Sequence, residues 1–143
     1  VLTVNLTGPM RTIRKALPIM MEKGGGSIVN VASVAGVGGS RAGAAYTASK
    51  HAMIGLSKNV AYQYALKGIR CNVVAPGGVE TNIGETIQSP SQFGYERMML
   101  GTHSNPRSGQ PMEIANVVLF LASDEASFVN GAVVVADAGW SAY

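Results

Sequence analysis

The sequence predicts an α/β protein, one half of a doubly wound parallel sheet. Three observations predict it. Short, mostly apolar and β-branched runs at 27–32 (SIVNVA), 69–75 (IRCNVVA) and 132–136 alternate with longer segments of helical period, and strands buried on both faces of a parallel sheet read this way. Runs of glycine and proline, Gly24-Gly25-Gly26 and Pro76-Gly77-Gly78, break the chain between elements. Finally, the order helix, strand, helix, strand, long loop, helix, strand supplies only one half of the doubly wound plan, which is built from two such halves.

Taken in order, residues 1–23 read as a helix, because Leu2, Leu6, Met10, Ile13, Leu17 and Met20 recur at three- and four-residue steps. Pro9 and Pro18 are expected to kink it or mark its ends, and the three glycines stop it. Strand 27–32 leads into a glycine-rich loop at 34–43. Helical period returns over 44–66, ended by Lys67-Gly68, and strand 69–75 runs into the Pro-Gly-Gly turn. Residues 79–110 are polar and weakly periodic, with a short helix expected near 95–100; a loop of this length in a compact domain is usually functional. Pro111 opens the last helix, 111–122, with Glu113 near its positive end. Strand 132–136 follows.

A chain of 143 residues suits one domain or part of one. With 47% hydrophobic and 13% charged residues it is too apolar for disorder, and so little charge implies that much of its surface is covered by another domain or subunit. The net charge is +3, yet the basic residues are scattered and not interleaved with aromatics, so nucleic acid is not an expected partner. Cys71 is the only cysteine, which leaves no disulfide framework and no cysteine metal site. It reads as a small buried side chain, consistent with a cytoplasmic, reducing location. No metal is expected, and no apolar run reaches the ~18–20 residues that cross a bilayer. Val1 falls mid-pattern in the first helix, so the chain reads as a piece of a longer one.

In open α/β sheets ligands bind beyond the carboxyl ends of the strands, which selects Ser33 with its loop and the segment 76–81. Tyr46 lies thirteen positions after Ser33, and Lys50 four beyond Tyr46. On a helix, i and i+4 share a face, so Lys50 can hold its ammonium near the Tyr46 ring. A free tyrosine, with a pKa of ~10, is a poor acid–base group at neutral pH. A unit charge ~4 Å away at an effective dielectric of ~20 is worth about 4 kcal/mol, roughly three pKa units, so one lysine suffices in principle. Such a phenol suits carbonyl reduction or alcohol oxidation: Tyr46 exchanges the proton, Ser33 orients the oxygen, and a nicotinamide cofactor must supply the hydride.

Ser33 followed by Ala45-Tyr46-Thr47-Ala48-Ser49-Lys50 resembles the Ser and Tyr-x-x-x-Lys signature of the short-chain dehydrogenase/reductase family. Four further segments match in order: Val4-Asn5-Leu6-Thr7-Gly8, then 28–36 (IVNVASVAG), 72–81 (NVVAPGGVET) and 113–140. The resemblance covers essentially the whole chain. It implies the C-terminal, catalytic half of a Rossmann-type doubly wound sheet, residues 1–143 forming a partial domain with the N-terminal dinucleotide-binding half absent. It also implies Asn5, Ser33, Tyr46 and Lys50 as catalytic residues, with Asn5 fixing its helix and helping to hold a water in a proton relay with Lys50. The cofactor, NAD or NADP, would be held by Tyr46, Lys50, Pro76, Gly77, Val79 and Thr81. Residues after Thr81 would form the substrate loop, 84–105 setting the pocket.

The pattern most resembles 3-oxoacyl-(acyl-carrier-protein) reductases, enzymes of fatty acid biosynthesis, which implies a small carbonyl or alcohol substrate, an acyl-carrier-protein thioester among the candidates. A sugar, polyol or steroid dehydrogenase of the same family, or a non-catalytic oligomerising fragment, are the alternatives. The resemblance implies a symmetric homodimer or tetramer, and the helices 1–23 and 44–66 are rich enough in apolar residues to pair across subunits. Plainer readings stand beside these: Ser33 as a strand-end hydrogen bonder, Tyr46 and Lys50 as a solvated helix face, Asn5 as a cap or turn residue, Thr81 as a helix-start residue. Gly36, Gly38 and Gly39 fail the phosphate fingerprint, because Arg41 occupies its third glycine position. His51 and His103 read as solvated, the methionines mostly as core or pocket lining, and Arg11, Arg14 and Lys15 as a solvated face before a docking patch for an acidic carrier.

Overall fold

The computed structural model describes residues 1–86 and 89–142. Positions 87 and 88 of the expected pocket loop, and Tyr143, lie outside the described residues. A π-helical turn, Thr3–Thr7, leads into α1 (Gly8–Glu22), followed by β1 (Gly26–Val31), α2 (Ala44–Tyr64), β2 (Ile69–Pro76), α3 (Gln92–Thr102), α4 (Pro111–Ala122) and β3 (Val133–Ala136). The three strands form one parallel sheet in the order β1-β2-β3. Gly26 pairs with Ile69 through to Val31 with Val74, and Val73 with Val133 through to Pro76 with Ala136.

β2 is the central strand, and its side chains alternate between two cores. Cys71 and Val73 face α1 and α2: Cys71 packs with Ile13, Leu17, Val60, Ala61 and Ile69, and Val73 with Ala32, Met53 and Ile54. Val74 faces α4, packing with Leu121 and Ala126. Asn72, on the α4 side, is wholly buried and polar. Its Nδ2 donates to the Val129 carbonyl at 2.8 Å, and its Oδ1 accepts from the Ala132 amide at 3.0 Å. Asn130 accepts from the Cys71 amide and donates to the Ala61 carbonyl. These two amides steer the chain into β3. Arg70 donates to the carbonyls of Leu121 at 2.9 Å and Ser123 at 2.8 Å, placing a cation on the negative end of α4.

The expected elements are present, with differences. Pro18 lies inside α1 and does not end it; it is exposed, so the carbonyl that loses its amide partner can be hydrated. Pro9 sits at the first turn of α1, where no amide is needed. The long loop carries a 3₁₀ turn, Asn82–Thr86, and an α3 longer than the expected helix, because Ser91 caps it through the Gly94 amide. α4 starts as expected at Pro111, and beyond that expectation the Glu113 carboxylate accepts from the Gln110 amide at 2.8 Å, capping its first turn. Met53 is core, Met20 packs against the cluster of Ile13 and Leu17, and Met10 and Met21 line a groove, but Met112 is exposed. Among the described residues no helix is long and apolar enough to cross a membrane.

Candidate active site

The carboxyl ends of β1 and β2 bring most of the expected site residues to one corner. Ser33 follows β1 in extended conformation and caps the 3₁₀ turn Val34–Gly36, its Oγ accepting from the Ala35 amide at 3.1 Å. Gly36 lies against α2. A Cβ there would stand 2.9 Å from the Lys50 carbonyl oxygen and 2.9 Å from Ile54 Cδ1, so only glycine lets the Ser33 turn pack this closely. The Lys50 Nζ reaches back and donates to the Val31 carbonyl at 3.1 Å, two residues before Ser33. Two contacts to Lys50 therefore bracket Ser33.

Tyr46, one helical turn before Lys50, is half-buried, and the Lys50 Nζ lies 5.4 Å from its ring centroid. Burial lowers the Lys50 pKa, since desolvation disfavours the charged form. Asn5 sits inside the π-helical turn, whose Gly8 amide bonds back to the Thr3 carbonyl; such turns frequently mark functional sites. Its Nδ2 donates to Ser49 Oγ at 3.2 Å, and Ser49 Oγ donates to the Tyr46 carbonyl at 2.6 Å. Asn5 thus meets α2 at Ser49, the residue before Lys50.

Pro76 ends β2, and Gly77 donates to the Ala136 carbonyl at 3.0 Å. A Cβ on Gly77 would stand 2.7 Å from Asp137 Cβ, so glycine is needed here for packing. Val79 forms an isolated parallel bridge with Gly109, in which the Gly78 carbonyl and Glu80 amide make the hydrogen bonds. In a parallel bridge the groups of Val79 itself point the other way, and its amide and carbonyl have no partner among the described residues. The Thr81 hydroxyl accepts from the Ile83 amide at 3.4 Å, at the start of the 3₁₀ turn. A cleft of about 250 Å³ touches Gly78 and Val79 but opens toward Ile114, Val117 and Ala136, and Ser33, Tyr46 and Lys50 do not line it.

His51, exposed and bonded to the Thr47 carbonyl, and exposed His103 lie outside the corner. Sequence reasoning missed Ser49, although it lies three residues after Tyr46 on the same face. It also missed a cluster that joins the loop after Ser33 to α3 and to the segment after β3. Arg41 stacks 4.2 Å from the Trp140 ring centroid and donates to the Gly101 carbonyl. Asp137 accepts from Ser141 and the Gly139 amide. Partial burial acts to raise the Asp137 carboxyl, but the Ser141 hydroxyl, the two amides and Arg41 hold it below the ordinary range. Nothing local in the sequence joins Arg41 to Trp140.

The family model described as enoyl-(acyl carrier protein) reductase matches residues 1–141. A 3β-hydroxysteroid dehydrogenase of Eggerthella lenta is 50% identical over 141 residues, 98% of this chain and 54% of its own length. A short-chain dehydrogenase/reductase of Penicillium canescens is 47% identical over 98% of this chain and 58% of its own. A Beutenbergia cavernae protein solved with bound NADP superposes with a TM-score of 0.86 at 38% identity, covering 100% of this chain and 57% of that one. The chain thus spans little more than half the length of these relatives. It has the parallel α/β architecture of Rossmann-type sheets, and it belongs to the short-chain dehydrogenase/reductase family.

Proposed function

We propose that this chain carries the acid–base machinery of a nicotinamide-dependent oxidoreductase that interconverts a carbonyl and a secondary alcohol. One observation carries the reading. Lys50 stands on the Val31 carbonyl beside the Tyr46 ring, at the strand tip where Ser33 emerges. A nicotinamide dinucleotide fits the residues present. The unpaired backbone of Val79 offers a donor and an acceptor matched to a carboxamide, and Lys50 offers donors to a ribose. Tyr46, Pro76, Gly77 and Thr81 complete the proposed cradle. The bound cofactor supplies or accepts the hydride.

The remaining work falls to the chain. The Ser33 hydroxyl donates to the substrate oxygen and orients it. In reduction the Tyr46 phenol gives that oxygen its proton, and in oxidation it removes one. The Lys50 ammonium stabilises negative charge developing on the phenol oxygen. Asn5, anchored through Ser49 to the turn of α2 that presents Tyr46, fixes its own helix and helps hold a relay water toward Lys50. Replacing Tyr46 by Phe in the intact protein should lower kcat by about 10²- to 10⁴-fold while circular dichroism stays unchanged. Retention of activity within tenfold would sink the assignment.

For the substrate, the overall pattern supports a 3-oxoacyl thioester, while the name of the matching family model, an enoyl-(acyl carrier protein) reductase, supports an acyl-carrier-protein thioester without fixing the group reduced. The 50% identity to a hydroxysteroid dehydrogenase supports a steroid as the second reading. Turnover of a 3-oxoacyl thioester, a 3-hydroxysteroid and a polyol, each with NAD and NADP forms, separates them. We infer a homo-oligomer, supported by the apolar groove that Met10, Ile13, Leu17, Leu56 and Val60 line between α1 and α2. Light scattering on the intact protein tests it. A cytoplasmic location is supported by the free thiol of Cys71.

A further inference from the structure

Helix α3 has no fully buried residue; Met98 and Met99 are half-buried, and none of its side chains joins the hydrophobic cores. Phe93, Tyr95 and Leu100 are exposed. Its hydrogen bonds to distant parts of the fold sit at its C-terminal end. The Gly101 carbonyl accepts from Arg41 Nη1 at 2.9 Å and from Trp140 Nε1 at 2.8 Å. Arg41 Nη2 also donates to the Trp140 carbonyl at 3.3 Å, its guanidinium stacked on the Trp140 ring, and Ser104 Oγ adds a second acceptor for Trp140 Nε1 at 3.2 Å. The last carbonyls of a helix carry negative partial charge and lack intrahelical partners. A planar cation with fixed donors matches them, and the Trp140 face adds a cation–π contact.

The three segments joined here are distant in sequence. Arg41 lies in the loop between Ser33 and Tyr46, Gly101 ends α3, and Trp140 follows β3. Resting on the reading above, we propose that Arg41 is a positioning residue for substrate. With Trp140 it latches α3 to the catalytic loop, so that α3 walls the Ser33–Tyr46 corner on the substrate side. The proton-transfer groups are held separately, through the Val31 carbonyl and Gly36. Loss of the latch therefore loosens substrate capture without dismantling the acid–base pair.

The intact protein with bound cofactor tests this by two routes that break the same contact. Arg41→Ala removes the guanidinium. Gly101→Ala places a Cβ 2.8 Å from Arg41 Nη1 and displaces it while Arg41 remains. Both should raise KM about tenfold, leave kcat within about threefold, and speed amide exchange of residues 92–102 about tenfold, with the global unfolding midpoint near that of the parent. Trp140→Phe keeps an aromatic face for Arg41 and loses the Nε1 donor, and should give an intermediate effect. An unchanged KM, or exchange that is unchanged or quickens evenly across the fold, would overturn the latch. If the parent turns over no carbonyl or alcohol, the enzymatic reading fails, while the exchange measurement still decides whether Arg41 holds α3.

Discussion

Gly36→Ala is the sharpest test of how the fold builds the site. The added Cβ would stand 2.9 Å from the Lys50 carbonyl oxygen, 3.0 Å from its carbonyl carbon and 2.9 Å from Ile54 Cδ1. Ile54 can rotate, but the Lys50 backbone belongs to α2 and cannot yield alone. Restoring ordinary contact needs a shift of about 0.5 Å between the Ser33 turn and α2. Inserting one methyl into packing this close typically costs about 1–3 kcal/mol. The displacement falls between the serine and the helix that carries Tyr46 and Lys50. A misplacement of about 1 Å at a reacting centre can cost ~10²-fold, so half of that should lower kcat/KM about tenfold. Urea unfolding of the intact protein reads the first effect and steady-state carbonyl reduction the second. Gly39→Ala is the control, since a Cβ there meets nothing within 4 Å. If Gly36→Ala matched Gly39→Ala within 0.5 kcal/mol and twofold in kcat/KM, both thresholds being about the noise of surface substitutions, the packing argument would be wrong.

Other consequences can be checked separately. Arg70→Met strips the charged donors from the Leu121 and Ser123 carbonyls; stability should fall by about 1–2 kcal/mol in urea titration, water replacing part of the loss. The Arg107 guanidinium beside Glu113, with help from the Gln110 amide, holds the Glu113 carboxyl down at about 2. A depressed carboxylate contributes stability above its unfolded pKa, ~4.3. The melting-temperature difference between parent and Glu113→Gln should therefore be full above about pH 5 and vanish as pH falls toward 2, whereas a difference that persists at pH 2 would point to another cause. Burial pushes the Cys71 thiol up to about 11, against the pull of the Ser57 hydroxyl. Iodoacetamide at pH 8 should leave the native thiol unmodified and alkylate it readily in denaturant; native labelling would show that the core opens there.

What the sequence disclosed and what it hid divide along contact distance. Ser33, Tyr46 and Lys50 were legible because strand ends and the i, i+4 step are local geometry, and the glycine–proline turns marked where the chain leaves the sheet. The apolar runs of β1 and β2 announced burial on both faces, and Pro111 with Glu113 announced the start of α4. Asn72 was visible only as a polar interruption of an apolar strand. Its partners, Val129 and Ala132, lie 57 and 60 residues away, and no periodicity links them. Of the two outcomes expected at Pro18, a helix end is not the one found, because on an exposed face the freed carbonyl has water.

The site corner depends less on its side chains than on the backbone they grip. Lys50 donates to a carbonyl of β1, Gly36 presses against a carbonyl of α2, and Ser49 ties Asn5 to the Tyr46 carbonyl. Carbonyl groups are the same at every residue, so no motif could encode these contacts; only the register that places one beside another can. This explains why two of the linking positions are small. Glycine at 36 permits the approach, and serine at 49, wholly buried, fits a hydroxyl where a longer side chain would push the π-helical turn away. It follows that Ser49→Ala should loosen Asn5 more than it disturbs Tyr46. Amide exchange at residues 3–8 should quicken in that variant while the α2 amides stay protected, and equal protection of both segments would deny Ser49 its linking role.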